Sequence, residues 1–157
     1  MAIHKIQIID LLSVDYELIA IHTPIEDYRL AYFLNKTLNI KLSKNNSKIE
    51  IKTSEGKSTF NHYFYDDKET DIQWSLVENK TSIASNKTKI QGLFDDLELS
   101  VFLLPEFKKA DYLLKIENID SYFNPEEYLY KIESVSQIIK SYTINQDKIK
   151  TKQNLIF

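Results

Sequence analysis

The chain contains no cysteine and only two glycines, Gly56 and Gly92, among its 157 residues. Without cysteine no disulfide framework can form, as is typical of proteins kept in a reducing compartment. Phosphate-cradling loops, dinucleotide fingerprints, nucleophile elbows and calcium loops each need glycine at fixed positions, where the backbone approaches a ligand closely or adopts a positive φ. The scarcity of glycine excludes these four kinds of site, and we expect neither an enzyme nor a cofactor.

Arginine and long apolar runs are also scarce. Arg29 is the one arginine among 20 basic residues, and the formal net charge is −3. A negative chain has no global attraction for phosphate backbones, so we expect no nucleic-acid partner. No run approaches the roughly 18 apolar residues that cross a bilayer, and residues 1–23 lack the basic, apolar and small-residue order of a signal peptide. These absences predict a cytoplasmic protein with no membrane partner.

The chain does have enough apolar sequence for one core. Hydrophobic residues make up 43% of it and charged residues 27%, close to the average of folded domains. A domain of roughly 150 residues buries about 68–70% of the surface that its unfolded chain exposes. We therefore expect a single domain over residues 1–157.

A strand and a helix are predicted in the first third of the chain. Residues 14–22, VDYELIAIH, are apolar on both faces, which is typical of a central strand. Thr23-Pro24-Ile25-Glu26 then predicts a capping box with proline at the first helical position. The following sequence, DYRLAYFLNKTL, predicts a helix, because four apolar residues recur on one stripe: Leu30, Ala31, Leu34 and Leu38.

Short alternating segments separated by polar clusters predict an antiparallel meander in the middle of the chain. These segments are Ile40/Leu42, Ile49/Ile51/Thr53, Phe60/His62/Phe64, Ile72/Trp74/Leu76 and Leu97/Leu99/Val101/Leu103. The stretch FNHYFYDD carries aromatic residues on both faces. It predicts burial on one side and a lid, a partner or a ligand on the other.

The last third repeats the logic of the first. Residues 111–116, DYLLKI, echo residues 15–21, and Asn124-Pro125-Glu126-Glu127 predicts the start of a second helix, followed by a strand in SQIIKSYTI. Two βαβ-like units predict an α+β fold, with a largely antiparallel sheet and two main helices. We expect a split βαβ, ferredoxin-like or ACT-like plan with the antiparallel meander inserted.

Three stretches, LPEFKKADYLLKI, EDYRLAYFLN and KTKQNLIF, carry a resemblance to a known family. Together they resemble the IPExxVDY family of uncharacterised Bacteroidota proteins, over Asp15 to Phe157. The label motif is met loosely, since Leu104 stands for isoleucine, Ala110 for valine, and three residues rather than two separate Glu106 from Ala110. The resemblance implies a cytoplasmic bacterial protein and carries over no catalytic residue.

The loop that follows Leu104 is the candidate partner-binding site. Pro105 ends the preceding strand, and the next four residues, Glu106, Phe107, Lys108 and Lys109, help to reverse the chain. If Phe107 packs under the sheet edge, the loop is only a fixed turn. If Phe107 is exposed, an aromatic anchor rimmed by lysines resembles an interface hot spot.

Arg29 is the second candidate. A guanidinium gives bidentate hydrogen bonds and stacking that lysine cannot reproduce, and Tyr28, Tyr32 and Phe33 flank it in sequence. We expect a structural role, stacked and paired with a carboxylate inside the domain, over the alternative of binding an anionic ligand.

Histidines and the last residues of the chain complete the set of candidates. His22, Glu26 and Asp27 lie at a strand-to-helix junction where a proton or metal could be shared, but helix capping explains the two carboxylates better, and we expect no metal site. Leu155, Ile156 and Phe157 are expected to be docked, because three apolar side chains would otherwise stay in water.

These features predict a non-enzymatic interaction or regulatory module that acts on a cytoplasmic protein partner, with a homodimer as one arrangement. The alternative is an ACT-like sensor of a small ligand, such as an amino acid or another anion, bound at a dimer interface. Ligand-dependent thermal stabilisation would distinguish the sensor from the interaction module.

Overall fold

A large antiparallel sheet organises the protein, whose computed structural model describes residues 16–54, 56–84 and 98–157. Within those ranges the elements are β1 (Tyr16–His22), α1 (Asp27–Leu38), β2 (Ser43–Lys44), β3 (Ile49–Thr53), β4 (Gly56–Phe60), β5 (His62–Asp66), β6 (Gln73–Glu78), β7 (Lys80–Ala84), β8 (Glu98–Phe102), β9 (Tyr112–Glu117), α2 (Pro125–Glu133) and β10 (Lys140–Thr143). The main sheet has six strands in the order β10-β1-β9-β6-β5-β2. All its neighbours pair antiparallel, so the expected α+β class with two main helices is confirmed.

Both helices cover the same face of this sheet. The α1 stripe predicted from the sequence is buried, and it packs with Ile132 of α2 against sheet residues such as Ile19, Trp74 and Leu114. Burial of each such leucine or isoleucine side chain stabilises the fold by roughly 1.5–3 kcal/mol relative to exposure. This face is one half of the core.

The two helices begin in different ways. Asn124 caps α2 as predicted, because its Oδ1 accepts a hydrogen bond from the Glu126 N–H at 3.2 Å. The capping box predicted for α1 is wrong: α1 begins after Glu26, which makes no side-chain cap. Thr23 Oγ1 instead donates to the Gln137 carbonyl at 2.7 Å. The threonine therefore ties the end of β1 to the segment that precedes β10.

The opposite face of the sheet is covered by irregular and two-stranded structure. Its apolar cluster joins Leu18, Phe60, Leu103, Leu104 and Leu155. The strand predicted through residues 60–64 is divided at Asn61, because Phe60 of β4 pairs with Ile49, whereas His62 of β5 pairs with Val77 in the main sheet. Two short sheets result from such divisions, the β3–β4 hairpin and the β7–β8 ribbon.

Residues 144–157, here called the C-terminal strap, also lie over this second face. Ile144, Ile149 and Leu155 are buried in its cluster, and Asn154 Nδ2 donates to the Leu103 carbonyl at 2.8 Å. The expected docking of the last apolar residues holds for Leu155 and fails for Ile156, which is 83% exposed.

Neither helix in the described ranges has the length and apolar character that a bilayer crossing needs.

Candidate functional site

A cleft of about 750 Å³ opens beside the edge of the main sheet. Its walls are the loop between β2 and β3, part of the β3–β4 hairpin and the end of the C-terminal strap, and its lining residues are Asn45, Asn46, Ser47, Lys48, Ile49, Glu50, Thr59, His62, Ile156 and Phe157. Amide and hydroxyl residues, two charged residues and two aromatic residues, His62 and Phe157, therefore line the same space. Pockets of this size and mixed chemistry are typical of small-ligand sites.

His62 is the most unusual residue of this cleft. The residue is only 6% exposed, and its Nδ1 lies 3.5 Å from Asn45 Nδ2. The orientation of the Asn45 amide is fixed, because Asn45 Oδ1 accepts from the Ser47 N–H at 3.1 Å. Asn45 Nδ2 must then be the donor and His62 Nδ1 the acceptor, which assigns the proton of the neutral imidazole to Nε2.

The Nε2–H of His62 has no acceptor in the part of the chain that the structure describes, and it is shielded from water. Burial lowers the pKa of His62, and the positive charge of Lys115 lowers it further, while Glu117 raises it. The imidazole is therefore neutral near pH 7. A buried donor left unsatisfied costs roughly 1–3 kcal/mol. The His62 Nε2–H therefore lowers the free energy of unfolding of the ligand-free protein.

Phe157 covers the histidine from the side of the cleft. Two phenylalanine rings pack on His62, Phe64 at 6.0 Å and Phe157 at 5.2 Å between ring centroids, but only Phe157 lines the cleft. The Phe157 ring also lies 4.8 Å from the Nζ of Lys115. One ring therefore contacts both the buried imidazole and the buried ammonium.

Lys115 occupies the middle of the central strand β9, where it faces the second layer between Leu18 of β1 and Ser75 of β6. Its Nζ donates to Glu117 Oε1 at 2.8 Å and to the Leu155 carbonyl at 2.8 Å. The centre of the Tyr16 ring lies 5.3 Å from the same Nζ. A lysine buried in this way is held by a carboxylate, a carbonyl and two rings.

The loop predicted to bind a partner is mostly used by the fold. Phe107 is half-buried and packs against the second-layer cluster. Glu106 Oε1 accepts from the N–H groups of Lys150 and Thr151, at 2.7 and 2.9 Å, and from the Thr151 hydroxyl at 2.9 Å. Burial acts to raise the pKa of Glu106, but these hydrogen bonds outweigh it and lower the pKa.

The two lysines of the same loop have a different environment. Lys108 and Lys109 are exposed, and Lys108 Nζ lies 6.0 Å from the centre of the Phe102 ring. The loop thus divides into an inner part, Glu106 and Phe107, that fixes its path, and an outer part, Lys108 and Lys109, that is open to a partner.

Asn79 holds this loop in place, and sequence reasoning did not single it out. It is fully buried; its Nδ2 donates to the carbonyls of Phe107 and Ala110, at 2.8 and 2.9 Å, and its Oδ1 accepts from the Leu104 N–H at 2.9 Å. An asparagine after a buried strand is too common a pattern to have revealed this role.

Arg29 lies on the outer surface of α1. Its NH1 is 3.4 Å from Glu26 Oε2, and both side chains are about half exposed. The carboxylate partner that we expected is present, but the pair is at the surface rather than inside the domain. Tyr28 and Tyr32 are exposed beside it, because the stripe that includes Leu30 and Leu34 takes the buried side of the helix.

A group of acidic and phenolic side chains lies where α1 begins. Asn61 Nδ2 donates to Asp27 Oδ2 at 3.0 Å and lies 3.4 Å from Glu78 Oε1. Burial, and then Asp27, raise the pKa of Tyr63 to about 12; burial also raises the pKa of Glu78. The cluster anchors α1 to β5 and β6.

The described residues include no group of three or more His, Cys, Asp or Glu side chains arranged to hold a metal.

The junction histidine, His22, is directed elsewhere. Its Nε2 lies 3.2 Å from the Tyr142 hydroxyl, across the pairing of β1 with β10.

Comparisons with protein-family models, with curated proteins and with solved structures found no match.

Proposed function

We propose that the protein is a non-enzymatic regulatory module that binds a small ligand in the cleft over His62. The observation that carries the proposal is the buried Nε2–H of His62, which has no acceptor in the described chain although the residue lines an open cleft. A group that costs stability in the free protein is explained if a ligand accepts its hydrogen bond. This is the sensor function expected as the alternative from the sequence, with the site inside one chain.

The test is a ligand screen by amide NMR spectroscopy and thermal unfolding. Small carboxylates, amides and alcohols at millimolar concentration should shift the amide signals of Asn45 to Glu50, and any ligand that binds should raise the melting temperature by mass action. His62→Phe, which keeps a ring and removes the donor, should weaken both effects. Signals in the cleft that no compound shifts would refute the proposal.

Contact with a protein partner through the loop is the second candidate. It is favoured by the exposure of Lys108 and Lys109 on a loop whose path is fixed from inside by Glu106 and Phe107. Charge reversal of either lysine should leave the melting temperature unchanged and abolish capture of the native partner. Retained capture in both variants would remove this candidate.

The finer fold plan and the setting of the protein are further parts of the proposal. Four strands in the order β10-β1-β9-β6, with α1 after β1 and α2 between β9 and β10, support a split βαβ core with the β2–β5 region and the β7–β8 ribbon as insertions. The absence of cysteine supports a cytoplasmic location. Membership of the IPExxVDY family rests on the three sequence stretches quoted above.

A further inference from the structure

Two hydrogen-bond donors without an acceptor in the described chain belong to side chains that contact the ring of Phe157. One is the Nε2–H of His62. The other belongs to Lys115, whose ammonium has three N–H groups and two hydrogen-bonded acceptors in the described chain, Glu117 and the Leu155 carbonyl. Phe157 contacts both side chains, at 5.2 Å from the imidazole and 4.8 Å from Nζ.

Phe157 is held in this position by its ring alone. Its backbone N–H makes no hydrogen bond with the residues that the structure describes, and the bond before it, from the Ile156 N–H to the Gln153 carbonyl, is long at 3.4 Å. Phe157 is 39% exposed. The ring can therefore leave without breaking the hydrogen bonds that hold Leu155 and the rest of the C-terminal strap.

This inference rests on the proposed function. We propose that the Phe157 ring is a displaceable plug, meaning that it fills the ligand site in the free protein, and that the ligand is an aromatic carboxylate. The ring of the ligand takes the place of the Phe157 ring, and its carboxylate accepts hydrogen bonds from His62 Nε2–H and from the third N–H of Lys115.

An aromatic ligand is indicated by the surroundings of Lys115. The centres of the Tyr16 and Phe157 rings lie 5.3 and 4.8 Å from the ammonium, and each ring stabilises the buried cation. A ligand that displaced Phe157 without supplying a ring would remove one of these contacts. The vacated space is also the space of a phenyl ring, packed at 68° to the His62 imidazole.

A negative ligand is indicated by the charges around the cleft. Glu117 is paired with Lys115, and Glu50 is paired with Lys57 at 2.7 Å. Lys48 lines the cleft and forms no ion pair with residues of the described ranges. Lys48 is thus a cation of the cleft lining that pairs with no carboxylate of the described ranges, and its attraction favours a carboxylate over a neutral acceptor.

The experiment measures the binding of benzoate, benzamide and cyclohexanecarboxylate to the full chain by titration calorimetry and amide NMR. Phe157→Ala should bind benzoate about fivefold more tightly than the wild type or more, because the internal competitor is removed. Tyr122→Ala, which removes an exposed aromatic ring elsewhere, should bind as the wild type does. In the Phe157→Ala protein, benzamide and cyclohexanecarboxylate should each bind roughly tenfold more weakly than benzoate.

Two substitutions in the Phe157→Ala background test the donors. His62→Phe and Lys115→Met should each weaken benzoate binding about tenfold or more, as expected for loss of a hydrogen bond to a charged group. If Lys115→Met does not fold, His62→Phe alone decides the point. Unchanged affinity in a folded His62→Phe protein would overturn the assignment of the carboxylate.

The remaining outcomes separate this inference from the proposed function. Equal benzoate affinity in the wild type and Phe157→Ala would overturn the plug, and benzamide binding as tightly as benzoate would overturn the carboxylate. If other small molecules shift the cleft amides and benzoate does not, the ligand class is wrong and the proposed function stands. If no small molecule shifts them in either protein, both are wrong.

Discussion

Replacement of Lys115 by methionine should destabilise the protein more than any surface change. The substitution keeps most of the side-chain volume but removes the ion pair with Glu117 and the hydrogen bond to the Leu155 carbonyl. Removing one partner of a buried pair costs roughly 3–5 kcal/mol, because the other charge stays buried without compensation. The Glu117 side chain is 18% exposed, so water can reach part of it, and we expect the lower end, about 3 kcal/mol.

A double substitution shows where that cost arises. Glu117→Gln in the Lys115→Met background removes the uncompensated carboxylate, so the double variant should recover about 1–2 kcal/mol relative to Lys115→Met alone. The measurement is urea unfolding followed by circular dichroism, with free energies extrapolated to water. The four proteins form a double-mutant cycle.

Two results would refute this reasoning. If Lys115→Met changes the free energy of unfolding by less than about 1 kcal/mol, the buried pair contributes no more than an exposed one. If Glu117→Gln destabilises the Lys115→Met protein further, the orphaned carboxylate is not the source of the cost.

Three further predictions concern the loop and the surface pair. Asn79→Ala should lower the free energy of unfolding by roughly 2–4 kcal/mol in urea titrations, because it leaves two buried backbone groups, the Leu104 N–H and the Ala110 carbonyl, without a partner, while the Phe107 carbonyl keeps the Ala110 N–H; a loss below about 1 kcal/mol would contradict the geometry. Glu106→Gln should lose about 1–2 kcal/mol at neutral pH, with Lys108→Glu as the silent control. Hydrogen bonds hold the pKa of Glu106 below its usual value. The ionised Glu106 side chain should therefore stabilise the fold fully above the unfolded pKa of about 4.3, and this contribution should be lost as the pH falls through the lower folded pKa. The Glu106→Gln protein should not show this loss. Arg29→Lys should change the free energy of unfolding by less than about 0.5 kcal/mol, and a larger change in thermal or urea unfolding would show that its surface pair with Glu26 matters more than its exposure suggests.

Periodicity in the sequence was enough to predict the helical half of the molecule. The stripe of Leu30 and Leu34 and the cap at Asn124 each act within a few residues, so local pattern determines them. The first-turn geometry of α1 was missed because Thr23 bonds to Gln137, a residue far along the chain. Local rules for caps cannot anticipate a tertiary partner.

The second layer and the cleft were beyond reach for the same reason. A lysine at position 115, in the middle of an apolar strand, was a visible exception to the pattern, and such exceptions mark buried polar sites. Its partners, however, come from its own strand, from β1 and from the end of the chain. Likewise the alternation of Phe60, His62 and Phe64 predicted a strand, but nothing in the sequence places Phe157 over His62 or Asn45 beside it.

The position of β1 in the sheet has a consequence for how the chain folds. β1 lies between β9 and β10, so both of its edges pair with strands that come about a hundred residues later, as in the pairing of Ile19 with Leu114 and with Thr143. Closing loops of that length is slow compared with forming the local β3–β4 hairpin. During synthesis β1 leaves the ribosome long before either neighbour, with an apolar face and two open edges, the state in which strands aggregate or recruit chaperones. The first strand described in the chain is therefore among the last to gain its neighbours.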